Sequence, residues 1–522
     1  MRSSSAGASA PALRRTALVA GASTRRSAVL SLLLPLALAP ACAARDVDPL
    51  TPLPVVNARA REVRSLQRDL ADLFASPTLA RGTVAVVVQS LDRGDTLFRH
   101  HGDRLLMPAS NMKLLTLAAA AERLGWDHTF GTTIEATAPI ENGVVAGDLV
   151  IRGSGDPTLN VRQHQADRVF DQWAEALWTA GLRHVDGRLV GDDNAFDEET
   201  LGAGWAWDNL PYGYAAPIGA LQVNEDAVEV VVTPADTVGQ PALLSPPPEA
   251  GGVLVTNAVT TGEPGSGASI ALSRAPGSGV TVVRGSIAAG HAPLRRTIAV
   301  DNPTLYFLRL FADALARRGI AAAGIADIDE VGAETAAPVA RLVTHRSPPL
   351  RETAAVLMKA SQNLYAETLL RALAEPGRPA TAAAGRARAL ETLTRLGVPS
   401  DSVVIADGSG LSRYNYVTAD ALAVVLRRMH EDPRHREPWL HALPVGGVDG
   451  TLERRFTGMR GEGRVRAKTG SISNVRALSG YVPAGDGETL VFVVLVNNVT
   501  APGRDVDAVI DRAVERLTTF KR

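Results

Sequence analysis

One cysteine in 522 residues excludes an internal disulfide, and it leaves no thiolate pair on which a metal site could rest. Lysine is almost as scarce. Lys113, Lys359, Lys468 and Lys521 are the whole complement, so 50 of the 54 cationic side chains are arginine. A net charge of −1, with no long cluster of one sign, provides no basic field of the kind that gathers nucleic acid. No lysine follows a glycine, which excludes a Walker A phosphate loop. No serine has glycine at both −2 and +2, which removes the nucleophile elbow of α/β-hydrolases. Gly153-Ser154-Gly155-Asp156 lacks the third glycine of a dinucleotide loop and reads as a strand-to-turn feature. In His430-Glu431-Asp432-Pro433-Arg434-His435 the second histidine falls one position late for a zinc-protease helix, so the segment reads as a helix end. No metal and no cofactor is expected.

What is present begins with an export signal. Arg14, Arg15, Arg25 and Arg26 form a positive region, Ala28 to Ala39 an interrupted apolar run, and Ala39, Ala41 and Ala43 the small residues of a cleavage site. The run is too short to span a bilayer, and nothing after it is long enough. Residues 1–43 are therefore expected to be a signal peptide and 44–57 a linker, with the mature protein in the periplasm or on the outer face of the envelope. Cys42 sits where bacterial lipoproteins carry their acylated cysteine, so a lipid anchor competes with ordinary cleavage near Ala43. Hydrophobic content of 46% and charged content of 21% describe an ordinary globular chain with a sufficient core.

Apolar spacing predicts a helix over Ala58 to Phe74, a hairpin of Thr83 to Ser90 and Thr96 to Arg99, and a helix from Ser110 to Leu124 stopped by Gly125. Strands at Leu478 to Val482 and Thr489 to Asn497 and a helix from Val506 to Thr518 mirror these at the other end. One α+β core built from both termini accounts for the match. Between them, short alternating runs such as Val144 to Arg152, Ala227 to Val232 and Val280 to Arg284 predict β-rich inserted material in two modules. Helical spacing returns at Thr353 to Ala360, Leu364 to Ala374, Ala382 to Leu396 and Ala419 to His430. Among the aromatics, Trp205, Trp207, Tyr212 and Tyr214 are expected in core packing rather than as a sugar platform.

Where a chain uses arginine for solubility, a retained lysine suggests a site needing a compact or deprotonatable amine. Three lysines sit in such contexts. Ser110 and Lys113 are i and i+3, so on a helix the amine reaches the hydroxyl. A buried neutral lysine can take a serine proton. Lys359 precedes Ser361-Gln362-Asn363, where a hydroxyl and a carboxamide two apart can face the same way. Lys468-Thr469-Gly470-Ser471 offers a charge and a hydroxyl to a carboxylate, and its glycine permits close approach of another backbone. Each string alone is ordinary. Their order and spacing together are not, because Ser-x-x-Lys, Ser-x-Asn and Lys-Thr-Gly form the signature of β-lactamases and penicillin-binding proteins.

On these motifs the chain resembles the D-alanyl-D-alanine carboxypeptidase/endopeptidase family, the class C low-molecular-mass penicillin-binding proteins. The likeness extends to Asp148 to Leu159, Gly204 to Pro217, Asp407 to Arg413 and Leu443 to Leu452. It implies an α+β transpeptidase-like core, an antiparallel sheet flanked by helices, over 58–131 and 342–522. Two inserted domains would occupy 132–217 with 296–341, and 218–295. It further implies that Ser110 is acylated by peptidoglycan peptides ending in D-Ala-D-Ala and by β-lactams, with Lys113 as base and Ser361 relaying a proton. Asn363 would hold the substrate amide, Lys468 and Thr469 the terminal carboxylate, and the N–H groups of Ser110 and Ser471 the oxyanion. Gln362 stands where aspartate is commoner, with its side chain expected to point away. Asp208 and Tyr214 are candidates for reading the diaminopimelate end. Lys113 is expected to work deprotonated and Lys468 protonated; the role of Lys359 stays open between a field on Ser361 and an exposed helix position. A β-lactamase or esterase on the same core, or a catalytically silent wall-binding protein, are the rival readings. The sequence is silent on oligomeric state.

Overall fold

The computed structural model describes residues 58–160, 166–245, 252–332, 336–375 and 379–522, so the leader, the linker and Cys42 lie outside the described residues. Its centre is a five-stranded antiparallel sheet in the order Arg466–Ile472, Val475–Pro483, Thr489–Asn497, Thr83–Ser90, Thr96–His100. The two ends of the described chain thus interleave in one sheet, as the matching end pieces predicted. Thr489–Asn497 is apolar at nearly every position because both faces of the sheet are covered. Val491, Val493 and Leu495 face the helix Met112–Leu124, whereas Phe492, Val494 and Val496 face the terminal helices. Each such side chain, fully removed from water, contributes about 1.5–3 kcal/mol.

On the terminal-helix side, Ala58–Phe74 buries Leu66, Leu70 and Phe74 at intervals of four, and Gly503–Thr518 buries Val506, Val509, Ile510, Ala513, Val514 and Leu517. On the other side Met112–Leu124 is the central helix, buried from Met112 through Ala121. A helix apolar all round has no solvent face. It packs against Asn363–Ala372, Ala382–Arg395 and Ala419–Glu431, and its alanines let those neighbours come close.

The inserted span carries a seven-stranded mixed sheet whose path runs Ala340–Arg346, Gly131–Ala136, Leu149–Gly153, His184–Asp192, Val144–Val145, Ile140–Glu141. Ala321–Asp327 also pairs with His184–Asp192. Two three-stranded sheets follow, one of Leu254–Gly262, Val280–Ala288 and Ala268–Arg274, the other of Leu294–Ala299, Ala227–Thr233 and Leu243–Ser245. This region is not built of strands alone. Helices Ala166–Thr179 and Pro303–Arg318 share its core, with Phe170 and Phe307 rings 4.9 Å apart. Val169, Phe170, Trp173, Ala174 and Leu177 follow the 3.6-residue period, which short turn-bounded runs on either side obscure. The helix Ala419–Glu431 ends just before Pro433, as expected, and Asp432 then caps a further helix, Pro433–Ala442, with Pro433 at its first position.

Candidate active site

Ser110 lies in a single 3-10 turn, Ala109–Asn111, immediately before the central helix, so the α-helix opens two residues later than its sequence suggests. Ala109 adopts φ 46° to make that entry. Lys113 is on the first turn of the helix with no solvent exposure. Its Nζ is 3.0 Å from Ser110 Oγ, 2.6 Å from Asn363 Oδ1 and 2.8 Å from the carbonyl oxygen of Ser409. The last two can only accept hydrogen bonds, and a neutral amine has two N–H bonds for them. That leaves its lone pair directed at the Ser110 hydroxyl. Burial lowers the Lys113 pKa to about 7, against an upward pull from Asp407 and Glu367.

The second motif follows a single π-turn, Val356–Ala360, that delivers Ser361 in the left-handed conformation at φ 59°, ψ 39°. For a residue with a Cβ this costs about 1–3 kcal/mol, and such strain concentrates at functional positions. Gln362 turns outward from the pair: its Oε1 accepts the Leu364 N–H at 2.9 Å and caps the next helix. Asn363 bridges two segments, accepting from Lys113 through Oδ1 and donating through Nδ2 to the Tyr214 carbonyl at 2.7 Å.

The third motif lies on the edge strand Arg466–Ile472. Lys468, fully buried, donates to Ser361 Oγ at 2.8 Å and to the Thr469 carbonyl at 2.9 Å. Burial and the positive charge of Lys113 depress its pKa well below the ordinary value, so the fully protonated form expected from sequence is opposed by its surroundings. Thr469 Oγ1 donates to Thr451 Oγ1 at 2.8 Å. Gly470 answers a packing demand, because a Cβ there would lie 2.7 Å from the Pro108 carbonyl oxygen and 3.0 Å from the Ala477 methyl. The three motifs, 251 and 107 residues apart in sequence, meet through hydrogen bonds in one cleft.

A family model described as the D-Ala-D-Ala carboxypeptidase 3 (S13) family matches residues 66–518. The chain belongs to that family. The D-alanyl-D-alanine carboxypeptidase of Actinomadura sp. (strain R39) is 37% identical over 461 residues, covering 86% of this chain and 84% of that one. The D-alanyl-D-alanine carboxypeptidase DacB of Haemophilus influenzae is 27% identical over 458 residues, 81% of this chain and 90% of its own. Among solved structures, penicillin binding protein 4 of Haemophilus influenzae superposes with a TM-score of 0.76 at 24% identity, over 87% of this chain and all of that one. This family fold is the α+β core expected from the motifs.

A cavity of about 310 Å³ opens beside Ser110, and its lining includes Ser361, Asn363, Ser471, Asn209, Tyr214 and Arg413. Asp208 is exposed on the turn Trp207–Asn209 and is not among the residues lining the cavity, whereas its neighbour Asn209 is. Tyr214 is half-exposed, stacks on Tyr212 with centroids 5.3 Å apart, and donates its hydroxyl to Asn209 Oδ1 at 3.1 Å. Trp207 is 60% exposed. Neither Trp207 nor Tyr214 is core, contrary to expectation: both sit on short 3-10 turns that the alternating pattern of the surrounding sequence does not reveal.

Several contributors have no motif of their own. Lys359 pairs with Asp449 at 2.6 Å, and Asp449 accepts the Val445 N–H at 2.9 Å. This ties the turn before Ser361 to the 445–452 segment that meets Thr469, so Lys359 is neither a free exposed lysine nor a direct partner of Ser361. Asp407 accepts from the Gly410 and Ser412 N–H groups, both at 2.7 Å, from Asn415 Nδ2 and from Trp205 Nε1. Gly410, at φ 86°, lets this loop close on the Ser110 turn, since a Cβ would strike the Ala109 carbonyl oxygen. The strings Asp407 to Arg413 and Leu443 to Leu452 were the sequence signal for these groups, without a chemical role attached.

Proposed function

We propose that this protein is an exported serine D-alanyl-D-alanine carboxypeptidase/endopeptidase acting on peptidoglycan stem peptides and cross-links through a Ser110 acyl-enzyme. The observation that carries it is the Lys113 amine, whose two carbonyl acceptors leave only its lone pair for Ser110. As Ser110 Oγ attacks the carbonyl of the penultimate D-Ala, its proton passes to Lys113. The N–H groups of Ser110 and Ser471 receive the developing oxyanion; one such donor typically contributes about 10²–10³ in rate. Ser361, held by Lys468, relays that proton from Lys113 to the leaving D-Ala nitrogen, which departs as the amine and leaves Lys113 neutral again. Asn363 orients the substrate amide, and Lys468, Thr469 and Gly470 receive the terminal carboxylate. Tyr214, with Asp208 and Asn209 beside it, reads the diaminopimelate end of the stem peptide. Water then hydrolyses the ester and regenerates Ser110.

A β-lactam acylates the same oxygen. The relative from Actinomadura supports the substrate class, being named for D-alanyl-D-alanine. The Haemophilus protein, solved in complex with a β-lactam, supports the inhibitor class. Export through residues 1–43 delivers the enzyme to the cell envelope, and the intact mass of the mature N-terminus decides between lipidation at Cys42 and cleavage near Ala43. The function is tested by mass spectrometry of Ser110 after penicillin, together with D-Ala release from a pentapeptide. A lasting adduct with D-Ala release is expected. Fast turnover of the adduct to ring-opened drug would make it a β-lactamase, and absence of any adduct would overturn both enzyme readings.

A further inference from the structure

Glu367 lies one helical turn after Asn363, on the same face of Asn363–Ala372, and is 1% exposed. Its Oε1 accepts the backbone N–H of Gly408 at 3.0 Å and of Ser409 at 2.8 Å. The carbonyl oxygens of those same residues face the central helix. That of Gly408 accepts from Thr116 Oγ1 at 2.7 Å, and that of Ser409 accepts from Lys113 Nζ at 2.8 Å. One carboxyl therefore grips, through its N–H groups, the loop whose carbonyl oxygens hold the amine.

We propose that Glu367 is a positioning residue for the base, a reading that rests on Lys113 being that base. Its carboxylate fixes the 408–409 peptides so that the Ser409 carbonyl aims the Lys113 lone pair at Ser110, and its negative charge sets the pH at which the amine becomes free. Every charged group that acts on this pair is at hand. Asp407 lies on the gripped loop, Arg371 lies one turn further along the Glu367 helix, and Lys468 comes from the edge strand. Burial raises the Glu367 carboxyl and Asp407 raises it further, while Arg371, the Gly408 N–H and the Ser409 side chain oppose this. Burial lowers Lys113 to about 7, and the charge of Glu367, after that of Asp407, opposes the fall.

Lysine scarcity makes the test direct. Protein labelled only at lysine side chains carries four lysine signals, and that of Lys113 is identified by its loss in Lys113→Arg. In the full chain the Lys113 amine is expected to titrate near pH 7. In Glu367→Gln, which keeps an oxygen for both N–H groups but no charge, its midpoint should fall by about half a unit or more. The acid limb of penicillin acylation should move with it. An unchanged midpoint in a folded Glu367→Gln protein would overturn the electrostatic half of the proposal while leaving Lys113 as base. A wild-type Lys113 still protonated at pH 9 would remove the base itself, and the proposal with it. Glu367→Ala, which also loses the grip, should lower the plateau acylation rate about tenfold below that of Glu367→Gln. Equal plateaus would overturn the positioning half, and if the alanine variant does not fold, the glutamine titration still decides.

Discussion

The two ends of the cleft bury the same functional group in opposite settings. At the Ser110 end, Lys113 meets two carbonyl oxygens, and the carboxyls of Glu367 and Asp407 act on it from behind. At the edge-strand end, Lys468 meets the Ser361 hydroxyl and a carbonyl, and only burial and the charge of Lys113 act on its pKa. Burial alone therefore does not assign a role; the compensating charges do. An amine compensated from inside the protein is poised to exchange its proton near neutrality. On the proposed mechanism, one without internal compensation would be completed by the terminal carboxylate of the substrate.

This contrast breaks most sharply at Lys113. Lys113→Arg retains the charge and cannot release its proton, so acylation of Ser110 should fall by about 10³ or more. Lys468→Arg keeps the cation its end requires, and its loss should be about ten- to a hundredfold. Comparable losses in the two variants, measured as second-order penicillin acylation rates, would erase the distinction.

Proton uptake sharpens it next. A substrate carboxylate beside Lys468 should raise the depressed pKa, so peptide binding should draw up to about one proton from solvent, and affinity should weaken as pH rises. Calorimetry in buffers of different ionisation enthalpy measures this directly, and binding without proton exchange would show that Lys468 is already charged. Smaller effects belong to the tie between the motifs. Lys359→Met and Asp449→Asn should each lower kcat/KM about three- to tenfold, and the double variant no further, because they form one contact. Additive losses would mean that they act separately.

The weakest consequence concerns a residue that does not line the cavity. Asp226 is fully buried, its Oδ1 accepts the Val223 N–H, and its Oδ2 has no hydrogen-bond partner among the described residues. Burial raises its carboxyl well above the ordinary value. Such a group contributes stability while protonated and loses it as pH rises through the folded-state value. Asp226→Asn should therefore raise Tm by about a few degrees at pH 8 and by nothing below pH 4. A pH-independent gain would point to packing instead of charge.

What could be read from sequence was whatever is written locally. Ser110 and Lys113 are one turn apart, Ser361 and Asn363 two residues apart, and the terminal strands and helices carry their period in consecutive residues. Glu367 was reachable in half: its four-residue spacing from Asn363 places it on the motif face, but its partners lie 41 and 42 residues later, and no spacing rule connects them. Asp449 escaped for the same reason. Trp207 and Tyr214 were misplaced because aromatic residues are usually buried, and turns of three residues have no period to contradict that rule.

The sheet also has a timetable. Thr83–Ser90 pairs on one side with its hairpin neighbour and on the other with Thr489–Asn497, about four hundred residues later in synthesis. Until that last strand arrives, the apolar face of Val491, Val493 and Leu495 that packs with the central helix is missing. A chain emerging N-terminus first therefore carries Ser110 and Lys113 long before the sheet behind them is complete. Activity switches on only when the final strands close the sheet, which lengthens the interval in which unpaired strands can aggregate.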